Sequence, residues 1–156
     1  MTLRHPRAIL VAAALLTACS GGEDGEVCGD IDKNPGPMMR PGENCLGCHQ
    51  DGFGDDAPEF TAAGTIFASV DSDHCDGVEG VKVILTGADG SPVETQTNAA
   101  GNFWTTAPLM KEGPGPTIEL EGRTITMQRA LPTIPACNAC HSDDPVGGAS
   151  GKIYVP

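Results

Sequence analysis

The sequence predicts a mainly β fold, a small antiparallel sandwich. Short runs rich in Val, Ile, Thr and aromatic residues recur from Phe60 to about Leu131, and Gly, Asn and Asp break them at close intervals. Val81-Lys82-Val83-Ile84-Leu85 is the strongest of these runs, with Val81, Val83 and Leu85 on one face under a period of two. A third observation frames the domain. Cys45-Leu46-Gly47-Cys48-His49 precedes it, and Cys137-Asn138-Ala139-Cys140-His141 repeats the same arrangement after it.

Each element follows from local residues. Thr61 to Val70 supplies Thr65, Ile66, Phe67 and Val70 for a first strand, and 81–85 forms the second. Ala88-Asp89-Gly90-Ser91 reads as a turn into Val93 to Thr97, and Asn98 to Asn102 as a turn into Phe103-Trp104-Thr105-Thr106. Thr117 to Glu121 and Thr124 to Gln128 flank Gly122. Each C-x-x-C-H segment fits one short helical turn, the first bounded by Pro41-Gly42 and Asp51-Gly52. Lys152-Ile153-Tyr154-Val155 adds a short edge strand, in which Tyr154 packs. Repeated prolines between Asn34 and Pro41 oppose a helix, so that stretch is a loop enclosing Met38 and Met39.

The repeated C-x-x-C-H spacing points to covalent attachment of two haem c groups. Two thiols add to the vinyl groups on one porphyrin edge, and the adjacent imidazole reaches the iron. Cys45, Cys48 and His49 would hold one group, and Cys137, Cys140 and His141 the other, with His49 and His141 as axial ligands. For the opposite axial positions the candidates are Met39, with Met38 beside it, and Met127; Met110 is weaker. Met127 and Met110 also suit packing roles. His74, in the acidic stretch Asp71 to Asp76, suits an exposed turn. Zinc held by Cys45, Cys48, Cys137 and Cys140 is the chemical alternative, and it leaves both adjacent histidines unexplained.

The first 18 residues read as an export signal: Arg4, His5 and Arg7, then the apolar run Ala8 to Leu16, too short to span a bilayer. Leu16-Thr17-Ala18-Cys19 resembles a bacterial lipoprotein signal, and the resemblance implies a lipidated Cys19 anchored in the outer membrane, with Ser20 next to it. Residues 19–42 then form a tether and loop, 43–59 the first haem-binding segment, 60–131 the β-domain, 132–146 the second haem-binding segment and 147–156 a C-terminal loop with its edge strand. The seven cysteines divide into one for lipid, four for haem, and Cys28 with Cys75 for a disulfide. Loss of Arg4 and Arg7 takes the formal charge from -12 to -14, seven bases against 21 acids. Such a surface disfavours nucleic acid and suits solubility or basic partners.

The central stretch resembles a carboxypeptidase regulatory-like or Cna-B-like β-domain in Gly64-Thr65-Ile66-Phe67, Gly80 to Thr86, Asp89-Gly90 and Thr97 to Phe103. The flanking motifs resemble those of multihaem c-type cytochromes, and the whole looks like a secreted dihaem cytochrome lipoprotein with an inserted β-domain. That resemblance implies outer-sphere electron transfer at a bacterial membrane surface, between redox protein partners. Two alternatives stand beside it: a haem redox enzyme, such as a peroxidase with one open iron site, and a structural or adhesive β-domain lipoprotein. The acids fall mainly in turns, and no acid-base or nucleophilic constellation emerges.

Overall fold

The computed structural model describes residues 36–52 and 57–155. The fold is mainly β, with two small antiparallel sheets and two single 3₁₀ turns, Cys45–Gly47 and Cys137–Ala139. Strands β1 (Ala62–Thr65) and β4 (Asn102–Thr105) pair in one sheet. The other has the order β3-β2-β5-β6, from β2 (Lys82–Thr86), β3 (Pro92–Gln96), β5 (Thr117–Leu120) and β6 (Arg123–Thr126). The export signal, Cys19, Cys28 and most of the expected tether lie outside the described residues.

Alternation sets β2, where Val83 and Leu85 are buried and Lys82, Ile84 and Thr86 are only partly covered. Val81, just before the strand, is fully buried on the same face, as the period of two requires. These residues join Ile118 from β5 and Ala62 and Phe103 from the smaller sheet, so one apolar core serves both sheets. The hairpin from β5 to β6 closes through Glu121 and Gly122, both with positive φ (52° and 78°), between the paired Leu120 and Arg123. Two central residues with positive φ twist in the sense that flanking strands need, and glycine bears the second without steric cost.

Two expected strands come out shorter. Residues 62–67 are all buried, so this run lacks the half-exposed alternation of a sheet surface, and only Ala62–Thr65 forms a ladder. At the C-terminus the edge strand reduces to a single bridge between Phe67 and Tyr154. Tyr154 is 42% exposed rather than packed.

Candidate functional site

The two C-x-x-C-H segments fold alike. In the first, the Cys48 and His49 amides donate to the Cys45 carbonyl at 3.1 and 2.9 Å; in the second, the Cys140 and His141 amides donate to the Cys137 carbonyl at 3.2 and 2.9 Å. The backbone of each turn therefore places its histidine alike relative to its cysteines. His49 Nδ1 lies 2.7 Å from the Pro58 carbonyl, and His141 Nδ1 lies 3.0 Å from the Gly151 carbonyl. A carbonyl only accepts, so Nδ1 carries the proton in each ring and a neutral imidazole keeps its lone pair on Nε2. The His49 ring stacks on Phe60 at 4.3 Å, and Phe60 in turn on Trp104 at 5.7 Å.

Both turns dock on β1, and Thr65 is the joint. Its hydroxyl accepts from the Gly42 amide at 2.8 Å and donates to Asn102 Oδ1 at 2.7 Å, while its own amide donates to Asn138 Oδ1 at 2.8 Å. Asn102 Nδ2 reaches the Met39 carbonyl at 2.9 Å, and Asn98 Nδ2 reaches Pro37 at 2.6 Å, so the loop before the first turn is pinned from the β4 side. Ala136 bridges to Ala63, which seats the second turn on the other side. Sequence reading placed Thr65 in a strand, Asn98 and Asn102 in a turn and Asn138 inside the second motif, and gave none of them a linking role. Polar residues near turns look solvated, and only the apolar company of Thr65 in Ala62 to Phe67 hinted at burial.

Cys45, Cys137 and Cys140 are free thiols, whereas Cys48 and Cys75 are disulfide-bonded. Cys28, the expected partner of Cys75, lies outside the described residues. Burial raises the Cys45 thiol, with the Glu43 charge adding to it. Burial pushes Cys137 up to about 12, and the neighbouring Cys45 and Cys140 sulfurs further oppose its thiolate. Cys137 sits tightly against β1: a Cβ placed on Gly64 would lie 2.8 Å from Cys137 Cβ and 3.0 Å from the Phe103 ring.

Two cavities flank this region. The larger, about 750 Å³, is lined by core residues such as Val83, Phe103 and Ile118, and by Met127, Cys137, Cys140 and His141. The smaller, about 520 Å³, is polar, with Asp71, Asp73, His74, Asp143 and Lys152 around it. His74 Nε2 and Lys152 Nζ both approach Asp143, at 3.2 and 2.7 Å, and together hold its carboxyl below the usual range; the Lys152 hydrogen bond contributes most. Met39 is partly covered in the pinned loop and Met38 is exposed.

The expectation of two covalently attached haem c groups does not hold. Among the described residues no group of three or more His, Cys, Asp or Glu side chains comes together to hold a metal ion. The sulfur of Cys48 is engaged in a disulfide, which closes it to the thioether that the first attachment would need. The same two findings remove zinc shared by Cys45, Cys48, Cys137 and Cys140. With the cofactors go the dihaem cytochrome likeness, the electron-transfer role and the haem-enzyme alternative. No protein-family model matches the chain, and no curated protein or solved structure is similar to it, so the likeness to regulatory-like and Cna-B-like domains gains no support. No helix among the described residues is long and apolar enough to cross a membrane.

Proposed function

We propose that the chain is a structural or adhesive β-domain lipoprotein, a sandwich-like module carried by a tether from a lipidated Cys19 at the bacterial outer membrane. The use of its buried polar groups is the observation that carries this reading. Thr65, Asn102 and Asn138 join the pinned loop, β1, β4 and the second turn. Lys152, 6% exposed, ties the C-terminal segment to the Ser72 carbonyl at 2.5 Å. These groups close segments onto a shared core, as a surface-presenting unit requires. The excess of 21 acids over nine bases suits a solvated envelope surface.

The test is the mature protein made in a bacterium able to attach haem covalently. Intact mass should equal the lipidated chain without a prosthetic group, and the visible spectrum should be featureless. A mass raised by a covalently bound porphyrin overturns the proposal. Cys19→Ala should release the protein from the membrane fraction; if the variant remains bound, the anchor is wrong.

A further inference from the structure

The two C-x-x-C-H turns share a backbone but not a sulfur chemistry. In the first, Cys48 is in a disulfide; in the second, Cys137 and Cys140 are both thiols. We propose that Cys137 and Cys140 form a dithiol–disulfide exchange site on the larger cleft, reacting with uncharged, apolar disulfides.

The geometry supports a pair that closes on itself. In a 3₁₀ turn, side chains three residues apart eclipse, so Cys137 and Cys140 share one face. The hydrogen bond from the Cys140 amide to the Cys137 carbonyl at 3.2 Å closes that turn. Such a turn holds its end Cα atoms within about 7 Å, at the reach of a disulfide. The turn is also fixed from outside. Asn138, between the two cysteines, is 5% exposed and anchored to the Thr65 amide, with its Nδ2 buried and unpartnered. Both cysteines line the cleft, whose buried lining includes Val83, Phe103 and Ile118, so an apolar reactant has a surface to lie on. A strongly acidic chain disfavours an anionic one.

The two sulfurs differ in setting. Cys137 is pressed against Gly64 and packs on the core cluster, while Cys140 stands at the far end of the turn beside the exposed Gly147. Cys140 is therefore the attacking thiol. Having released its proton to solvent, it attacks one sulfur of a substrate disulfide. The substrate S–S bond breaks, a mixed disulfide forms, and the leaving thiolate takes up a proton. Cys137 then attacks the Cys140 sulfur, its proton passing to the departing substrate sulfur; the internal disulfide forms, the mixed disulfide breaks and the second substrate half leaves as a thiol. The two cysteines lose two electrons in total, and the substrate disulfide gains them as it becomes two thiols.

The experiment uses the mature chain carrying Cys45→Ala, to remove the third free thiol among the described residues, with dithiodipyridine as the uncharged aromatic probe and oxidised glutathione as the anionic one. Dithiodipyridine should release both of its thiopyridone halves at this pair and leave the peptide holding Cys137 and Cys140 lighter by two hydrogens with no retained label. Oxidised glutathione should react at least about tenfold more slowly. Cys137→Ala should trap the pyridyl adduct on Cys140, and Cys140→Ala and Cys140→Ser should each slow thiopyridone release by about tenfold or more. A label persisting on Cys137 or Cys140 of the Cys45→Ala chain, located by peptide mapping, overturns the proposal, as does an unslowed Cys140→Ser variant or a glutathione rate equal to that of the aromatic probe. Finding Cys137 and Cys140 in a linkage that reductants do not open overturns it as well.

Discussion

Thr65 is fully buried, yet its hydroxyl does the work of a hinge pin, accepting from Gly42 and donating to Asn102. Thr65→Val keeps shape and β-branching and removes only the oxygen. The Gly42 amide and Asn102 Oδ1 then lose their partner on Thr65, and unmet buried groups cost more than the bonds contribute when made. The variant should lose about 1–3 kcal/mol, read as a lower urea midpoint at unchanged slope. Thr65→Ser, which keeps the oxygen, should lose less. Equal losses for the two would mean that packing, not hydrogen bonding, sets the role of Thr65. The sequence showed the C-x-x-C-H cysteines and histidines at once, because spacing alone displays them. It hid the residues that bring the two turns together, because long-range side-chain bonds between residues 23 to 73 positions apart leave no local pattern.

At the scale of elements, the legible parts were those whose signal is local. The alternation in β2 and the turns around Gly90 and Gly122 marked the two hairpins, the turn around Gly101 marked the passage from β3 to β4 in the other sheet, and β2 to β6 lie within a residue or two of where the pattern put them. Where burial is two-sided, as from Ala62 to Phe67, the apolar run was visible but its short ladder was not. The crossing of the loops at Gly77 and Gly101 was equally invisible. A Cβ on Gly77 would fall 2.0 Å from the Ala100 carbonyl oxygen, a backbone atom that cannot rotate aside. Gly77→Ala should therefore force the 98–101 turn away from β1 and cost roughly 1–3 kcal/mol or more. Gly36 has nothing within 4 Å of such a Cβ and no positive φ, so Gly36→Ala should leave the urea midpoint unchanged. A midpoint for Gly77→Ala equal to that of Gly36→Ala would show that the two loops do not pack as described.

For the whole molecule, the C-terminal segment is held by a charge that must stay ionised. Lys152 is buried over the Phe67 ring, 5.2 Å from its centroid, and Asp143 is the carboxylate that faces it. In the folded chain the Lys152 hydrogen bond and charge, with His74, keep Asp143 below its ordinary 3.8; unfolding returns it to that value. A depressed carboxyl contributes stability above the unfolded value and loses it as pH falls through the folded one. Acid therefore leaves the Lys152 ammonium facing a neutral partner. A second effect runs the other way, because protonating acids on a chain of formal charge -12 relieves self-repulsion. The two are separated by comparing variants rather than by the shape of one curve. Asp143→Asn should be less stable than the parent near neutrality, and the difference should shrink as pH is lowered from about 5 towards about 2, since the parent alone loses this contact. Urea midpoints measured for both proteins across that range decide it. Parallel profiles would mean that Asp143, 61% exposed, is screened by solvent and that the buried ammonium rests on the Ser72 carbonyl and the Phe67 ring alone.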